Sequence, residues 1–234
     1  MRIAGLIGVA AVAAACSHSV GGDAEPSASV TPTPPGTTTT TTTAAAPSTP
    51  RPAAAAPGKS ASLDEVIRWI EAGTPADPGT YHVAFRDGVS TRLGDDIAFT
   101  APSGPPNSNT SCITDAALDN GALTCLLDLT SPPPRPPDGE GVWKPGWIEF
   151  PGASLLVGAL RGDPGPFVKG NGPDLAPGQS LMFGDDRCRS DAAGLFCVNY
   201  AHRSAMWISA EGIVPFGCLQ PAAPPPGNGA MFSC

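Results

Sequence analysis

Two similar cysteine frames constrain this chain more than any other feature. The later frame runs from Cys188 to Cys197 and reads Cys-Arg-Ser-Asp-Ala-Ala-Gly-Leu-Phe-Cys. The earlier frame begins Cys112-Ile-Thr-Asp-Ala-Ala and ends Gly121-Ala-Leu-Thr-Cys125. In both frames a Ser/Thr-Asp pair is followed by Ala-Ala, a glycine, apolar residues and a second cysteine. Each frame therefore predicts a β-hairpin that is closed by its own disulfide.

Six of the seven cysteines lie between residues 112 and 234. Six cysteines allow many connectivities, and the repeated frames favour two of the pairs, which leaves Cys218 to pair with Cys234. The chain has no Cys-x-x-Cys motif and no Cys/His cluster at zinc spacing, so we interpret the pairs as structural and predict no metal site and no cofactor. Disulfides of this kind persist in oxidising, exported compartments.

Residues 1–16 have the features of an export signal. Met-Arg is followed by an apolar run from Ile3 to Ala15 and then by Cys16. A positive start, an apolar run and small residues before a cut site are typical of a signal peptide. The run is too short to span a membrane, for which a helix needs about 20 residues.

The residues Ala13-Ala14-Ala15-Cys16 resemble a bacterial lipobox. The resemblance implies that Cys16 becomes the acylated N-terminus, carrying palmitate-type chains, and anchors the protein to the extracytoplasmic face of the cell membrane. The odd cysteine count agrees, because removing Cys16 leaves six cysteines to pair. More than one acyl chain suffices for stable anchoring, where a single chain does not.

Residues 17–59 are predicted to be a disordered linker. The segment consists mainly of Thr, Pro, Ala, Ser and Gly and includes seven consecutive threonines, from Thr37 to Thr43. It cannot bury enough apolar surface to offset chain entropy. Its composition is typical of an O-glycosylated stalk, and a plain tether without sugar is the alternative. Either would hold the folded domain away from the membrane.

Residues 60–234 are predicted to form a mainly β domain, of a β-rich α+β type. A Ser62-x-x-Glu65 capping box begins one N-terminal amphipathic helix, whose apolar residues recur at helical spacing. Short antiparallel strands between Pro/Gly turns follow, which favours a sandwich or barrel that includes the disulfide-closed hairpins. The predicted strands lie within residues 81–85, 89–93, 97–99, 148–150, 155–157, 181–183, 205–208 and 213–216.

The net charge of −8 argues against nucleic acid and against anionic membrane surfaces as partners. The chain has no Gly-x-Ser-x-Gly elbow, no His-Glu-x-x-His motif, no P-loop and no Gly-x-Gly-x-x-Gly fingerprint. Only three histidines are present, and His202, which is predicted to lie in a hairpin loop, is interpreted as a solvated residue. These absences favour a non-enzymatic protein, although they leave enzymatic activity open.

The cysteine frames and the residues around them resemble a cysteine-rich domain of unknown function in exported actinobacterial lipoproteins, including mycobacterial ones. The resemblance spans most of residues 97–216 and includes Phe99-Thr-Ala-Pro-Ser-Gly104 and Gly178-Gln-Ser-Leu-Met-Phe-Gly-Asp185. It implies an exported, disulfide-linked fold and says almost nothing about activity. Cys218 and Cys234 are an addition to that pattern.

Two kinds of candidate site remain. The two tryptophans of Trp143-Lys-Pro-Gly-Trp147 flank a predicted Pro-Gly turn and could present their indole rings to a sugar or a lipid, and core packing is the alternative for both rings. The acidic pairs Asp95-Asp96 and Asp185-Asp186 each follow a glycine, which is good turn chemistry. Calcium binding and paired glycosidase carboxylates are the alternatives for these aspartates.

The sequence thus predicts a membrane-anchored lipoprotein that binds a glycan, a lipid or a protein of the cell envelope. An envelope enzyme, or an enzyme subunit, acting on cell-wall glycan or lipid is the alternative. A purely structural or antigenic surface role is a third interpretation.

Overall fold

The computed structural model describes residues 55–234. The predicted signal peptide, Cys16 and most of the predicted linker lie outside the described residues. Within residues 55–234 the protein is mainly β with few helices, which confirms the predicted fold class. None of the helices in this part of the chain is long and apolar enough to cross a membrane.

The helical segments of residues 55–234 are short. They are α1 (Leu63–Glu71), α2 (Ala116–Asp119) and two 3₁₀ helices, Pro78–Tyr81 and Gly165–Lys169. The strands are β1 (Thr74–Pro75), β2 (Val83–Arg86), β3 (Val89–Arg92), β4 (Ala98–Pro102), β5 (Asn109–Ile113), β6 (Leu123–Leu126), β7 (Val142–Phe150), β8 (Ser154–Arg161), β9 (Gln179–Phe183), β10 (Asp186–Asp191), β11 (Gly194–Asn199), β12 (Ser204–Ser209), β13 (Gly212–Gly217), β14 (Gln220–Ala222) and β15 (Asn228–Ser233).

Two sheets contain most of these strands. The first sheet has the order β14-β15-β8-β7-β6-β5-β4, and the second has the order β1-β9-β10-β11-β12-β13. Each sheet is therefore built on five consecutive antiparallel strands, β4 to β8 in the first and β9 to β13 in the second. In each run, strands that are consecutive in the chain pair side by side, as in an up-and-down sheet.

The two sheets share one hydrophobic core, as in a β-sandwich. Phe99, Ile148 and Phe150 of the first sheet belong to the same buried cluster as Leu181 and Met206 of the second sheet. All four cysteines of the two frames belong to this cluster, and each is at most 1% exposed. The core therefore contains two disulfides among its apolar side chains.

Helix α1 packs on the outer face of the second sheet. Its capping box is confirmed, because the Ser62 hydroxyl accepts a hydrogen bond from the Glu65 amide and the Glu65 carboxylate accepts one from the Ser62 amide. Val66 and Ile70 of the helix are fully buried against Phe196 and neighbouring residues of the sheet. Side chains alternate along β11, so this strand is buried on both faces.

The hairpin of β2 and β3 packs on part of the outer face of the first sheet. Ala84 and Leu93, from the hairpin region, share a small buried cluster with Ala98 and Ile113 of β4 and β5. Asp87 and Gly88 form the turn of this hairpin, both with positive φ.

The three predicted disulfides are present: Cys112–Cys125, Cys188–Cys197 and Cys218–Cys234. The first two pairs lie directly opposite each other in neighbouring strands, β5 with β6 and β10 with β11. In each five-strand run the disulfide thus joins the second and third strands. The similarity of the two frames extends to the hairpin turns, where Asp115 and Asp191 each accept a hydrogen bond from the amide two residues later.

The turn of the first cysteine hairpin contains helix α2, which is followed by Asn120 and Gly121, both with positive φ. The Pro-rich C-terminal segment forms the hairpin of β14 and β15, which extends the first sheet beside β8. Prolines are tolerated there because β14 is an edge strand.

Candidate binding cleft

A cleft of about 720 Å³ lies between elements that belong to both sheets. It brings together the two Gly-Asp-Asp turns, which are about 90 residues apart in the sequence. The cleft has five aspartates and, among the residues that line it in the described part of the chain, no lysine or arginine. The aspartates are Asp95, Asp96, Asp119, Asp185 and Asp186.

Asp96 is fixed by hydrogen bonds at the turn before β4. Its Oδ1 accepts a hydrogen bond from the Thr114 hydroxyl at 3.0 Å and another from the Ala116 amide at 3.0 Å. These bonds tie the turn to the segment between β5 and α2. Gly94 precedes the pair with a φ of 68°, so the turn uses the left-handed conformation that glycine adopts readily.

Asp186 is the most strongly perturbed carboxyl of the cleft. The pKa of this side chain is raised to about 6, mainly because burial disfavours its charged form, and the neighbouring Asp185 raises it further. A hydrogen bond of 2.9 Å from Asn199 Nδ2 to Asp186 Oδ1 opposes the increase, as does the nearby His202. Asp186 is therefore poised to exchange a proton within a mildly acidic range.

Asp119 contributes a second perturbed carboxyl. Burial raises its pKa, and the hydrogen bond from the Thr124 hydroxyl to its Oδ2, at 2.9 Å, opposes the increase. Its other oxygen, Oδ1, is buried without a protein hydrogen-bond partner. Unpaired acceptors of this kind are costly unless a donor from solvent or a ligand reaches them.

Asp95 lies in the turn before β4 and Asp185 in the turn before β10, whereas Asp96 directly follows its turn and Asp186 is the first residue of β10. Within residues 55–234, no group of three or more His, Cys, Asp and Glu side chains is arranged to hold a metal ion. The sequence could not reveal that the two turns line one cleft, because their proximity depends on the packing of the two sheets.

The tryptophan pair lies elsewhere, within strand β7, and not at the ends of a Pro-Gly turn. The register of β7 against β8 shifts between Lys144 and Ile148, so extra residues are accommodated as a bulge. Gly146 lies in this bulge, where a Cβ atom would be 1.8 Å from the Leu127 carbonyl oxygen. The segment is therefore a strand that passes unusually close to its neighbour.

Trp147 is only 2% exposed, which corresponds to the core-packing alternative for this residue. Its ring packs edge-on against Phe167, and the Arg161 guanidinium lies 4.3 Å from the ring centre. Its Nε1 donates a hydrogen bond of 2.7 Å to Glu149. Both the ring and the N–H group of Trp147 therefore contact other groups of the protein.

Trp143 is partly buried, and its ring covers the backbone of two glycines. A Cβ atom at Gly158 would lie 2.5 Å from this ring, and one at Gly229 would lie 2.8 Å from it. Pro133 lies beside the same glycines. Trp143 therefore joins β7, β8 and β15, and the two tryptophans do not line the acidic cleft.

No family model, curated protein or solved structure matches this chain. The resemblance to actinobacterial lipoproteins thus stays an expectation from the cysteine frames.

Proposed function

We propose that this protein is an exported lipoprotein, anchored through Cys16 to the extracytoplasmic face of the cell membrane. Its β-sandwich acts as a non-enzymatic binding module for a component of the cell envelope. Residues 17–59 serve as the tether between anchor and module. The pairing of the cysteines is the observation that carries this proposal.

The six cysteines of the sandwich form three disulfides with one another. Cys16 is the one cysteine of the sequence outside these three pairs, so no cysteine of the domain remains to pair with it. A cysteine that directly follows an apolar segment and small residues has the position of an acylation site in a lipoprotein signal. Disulfides in the core agree with an oxidising destination, because cytosolic thiols are kept reduced.

The acidic cleft is the proposed binding site of the module. Its volume of about 720 Å³ lies within the range of small-molecule sites, about 300–1,000 Å³. Carboxylates accept hydrogen bonds from hydroxyl and ammonium groups, and five aspartates line this cleft. We infer a ligand that is rich in such donors, namely an envelope saccharide or an amine-bearing envelope component.

The anchor is tested by the intact mass of the protein extracted from the membranes of a lipoprotein-producing bacterial host. We expect a mature chain that begins at Cys16, carries acyl chains and gains six hydrogens on reduction. The Cys16→Ser variant should appear in the soluble exported fraction without acyl chains. An unmodified Cys16 in the native protein would contradict the anchor.

The binding site is tested by isothermal titration of the purified protein with soluble fragments of the envelope glycan and with amine-bearing fragments. Asp119→Asn and Asp186→Asn should each weaken binding, by about 1–3 kcal/mol for a lost charged hydrogen bond. Asp138→Asn is the control, because this exposed aspartate lies outside the cleft. Equal affinities for all variants would show that the cleft is not the binding site.

One observation favours an envelope glycosidase as a second candidate. A carboxyl with a pKa near 6 beside other carboxylates is the arrangement that general acid catalysis of glycoside cleavage needs. In that case the protein would release reducing ends from cell-wall glycan. Asp186→Asn would lower the rate by about a hundredfold or more, as loss of a general acid does. A protein that binds glycan without releasing reducing ends would support the binding module alone.

A further inference from the structure

The three disulfides differ sharply in exposure. Both pairs inside the sandwich have cysteines that are at most 1% exposed, whereas Cys218 and Cys234 are both exposed. Thiol–disulfide exchange requires a thiolate to reach a sulfur atom, so access decides which disulfide reacts in the folded protein. Cys218–Cys234 is the disulfide that meets this requirement within residues 55–234.

This exposed disulfide joins the ends of two strands from different sheets. Cys218 follows β13 of the second sheet, and Cys234 follows β15 of the first sheet. The Cys234 amide donates a hydrogen bond of 3.0 Å to the Ala153 carbonyl, in the turn between β7 and β8. The Cys218 sulfur lies 3.4 Å from the His202 carbonyl oxygen, in the turn between β11 and β12.

The same two turns meet at the wall of the acidic cleft. Pro151 of one turn lines the cleft, and so does Asn199, which immediately precedes the other turn. The Ser204 hydroxyl donates a hydrogen bond of 2.6 Å to the Gly152 carbonyl. A Cβ atom at Gly152 would lie 2.6 Å from both Asn199 and His202, so the two turns are in close contact.

We propose that Cys218–Cys234 is a redox-sensitive clasp that holds one wall of the acidic cleft and that a dithiol reductant opens selectively. A thiolate of the reductant attacks one of the two sulfurs, forms a mixed disulfide and releases the other cysteine. The second thiol of the reductant then displaces the first cysteine. Two electrons and two protons pass to the protein, which gains two thiols, while the dithiol becomes a cyclic disulfide.

Opening the clasp leaves the sandwich intact. The pairing of β15 with β8 and the buried core do not depend on it, and the two core disulfides stay closed. The contact between the two turns then depends on the Ser204–Gly152 hydrogen bond and on local packing. The Asn199 side chain accepts a hydrogen bond of 3.0 Å from the His202 amide and donates one to Asp186, so a shift of the His202 turn changes the environment of that carboxyl.

The selectivity is tested on purified full-length protein treated with graded dithiothreitol under native conditions. Free thiols are blocked with N-ethylmaleimide and located by peptide mass spectrometry. We expect Cys218 and Cys234 to be labelled at least about tenfold faster than the core cysteines, whose exposure requires unfolding. Labelling of any core cysteine at the same rate as the clasp would overturn the proposal.

The effect on the cleft is tested by carboxyl NMR titration of Asp186 in the oxidised protein and in the protein with the clasp reduced and methylated. We expect the Asp186 titration and the Asn199 amide signal to change, while the signals of Trp207, in the middle of β12, stay the same. Identical Asp186 and Asn199 signals in both forms would overturn the link to the cleft. The Cys218→Ser/Cys234→Ser variant provides the same comparison without alkylation. Neither readout depends on an identified ligand.

Discussion

The guanidinium carbon of Arg189 lies 3.8 Å from the centre of the Trp69 ring. Arg189 belongs to β10 and is only 5% exposed, so helix α1 covers a charged side chain of the second sheet. The Arg189 Nη1 also donates a hydrogen bond to the Trp69 carbonyl oxygen. Burial lowers the pKa of Arg189, and Asp191 opposes that decrease. The helix is thus held by a stacked cation as well as by apolar packing.

Replacing Arg189 by alanine should loosen helix α1. The substitution leaves a cavity beneath Trp69 and removes the hydrogen bond from Arg189 Nη1 to the Trp69 carbonyl oxygen, which together cost about 2–4 kcal/mol of unfolding free energy. Urea denaturation followed by tryptophan fluorescence measures the loss. Arg92→Ala is the control, because Arg92 is exposed on β3 and should change stability by less than about 0.5 kcal/mol. Equal stability of the two variants would contradict the role of Arg189.

Asp186 should make the free energy of unfolding depend on pH. Its folded pKa, about 6, exceeds the ordinary value of 3.8. Below about pH 4 the carboxyl is protonated in both states, so it contributes no pH dependence there. As the pH rises from about 4 to about 6, only the unfolded chain loses the proton, and stability falls. Above about pH 6 Asp186 is ionised in both states, and the loss of unfolding free energy reaches its full size of about 2–3 kcal/mol.

Asp186→Asn removes this penalty and keeps an oxygen that accepts from Asn199. We therefore expect the variant to be more stable than the native protein at pH 7.5 and equal to it near pH 4. Urea denaturation at a series of pH values measures the difference. Asp138→Asn should follow the native protein at every pH, since that residue is exposed. A stability difference that is constant with pH would show that Asp186 does not titrate as described.

Removal of the core disulfide Cys188–Cys197 should cost more than removal of Cys218–Cys234. Loop length alone gives the opposite order, because the separations are 9 and 16 residues and the longer loop is worth about 0.5 kcal/mol more. The core sulfurs, however, are fully buried, and their loss leaves cavities worth about 1 kcal/mol each. Thermal denaturation of the two double-alanine variants gives the order. A less stable Cys218/Cys234 variant would mean that loop entropy dominates.

Gly146→Ala should disrupt the bulge of β7. The new methyl group would lie 1.8 Å from the Leu127 carbonyl oxygen, and backbone atoms cannot yield as a flexible side chain does. We expect a loss of at least about 3 kcal/mol, at the upper end for overpacking. Gly162→Ala is the matched control, because no atom lies within 4 Å of its Cβ position. Circular dichroism during urea denaturation distinguishes the two variants.

Local signals in the sequence predict local structure well here. The capping box at Ser62 and Glu65 predicts helix α1, because both of its hydrogen bonds form between residues three apart. The cysteine frames predict the pairing of β5 with β6 and of β10 with β11, since cross-strand partners in a hairpin are neighbours in the chain. In each case the interaction and its sequence pattern span fewer than about 20 residues, the range in which patterns are informative.

The candidate site could not be predicted in the same way. Asp96 and Asp186 line one cleft because two sheets pack together, and no spacing in the sequence encodes that contact. The segment around Pro145 and Gly146 reads as a turn, yet the pairing of the flanking residues of β7 with β6 and β8 keeps it within the strand as a bulge. Tertiary pairing thus overrides a local turn preference at the position that the tryptophan hypothesis depended on.

Each disulfide of the sandwich joins two cysteines that are consecutive along the chain. A chain that crosses a membrane with its N-terminus first would complete each pair before the following cysteine emerges. Oxidation in the order of emergence then yields the native pairing, and no wrongly paired intermediate has to be reshuffled, a step that takes seconds to hours. Folding outside the cell membrane would then need an oxidant but no disulfide isomerase.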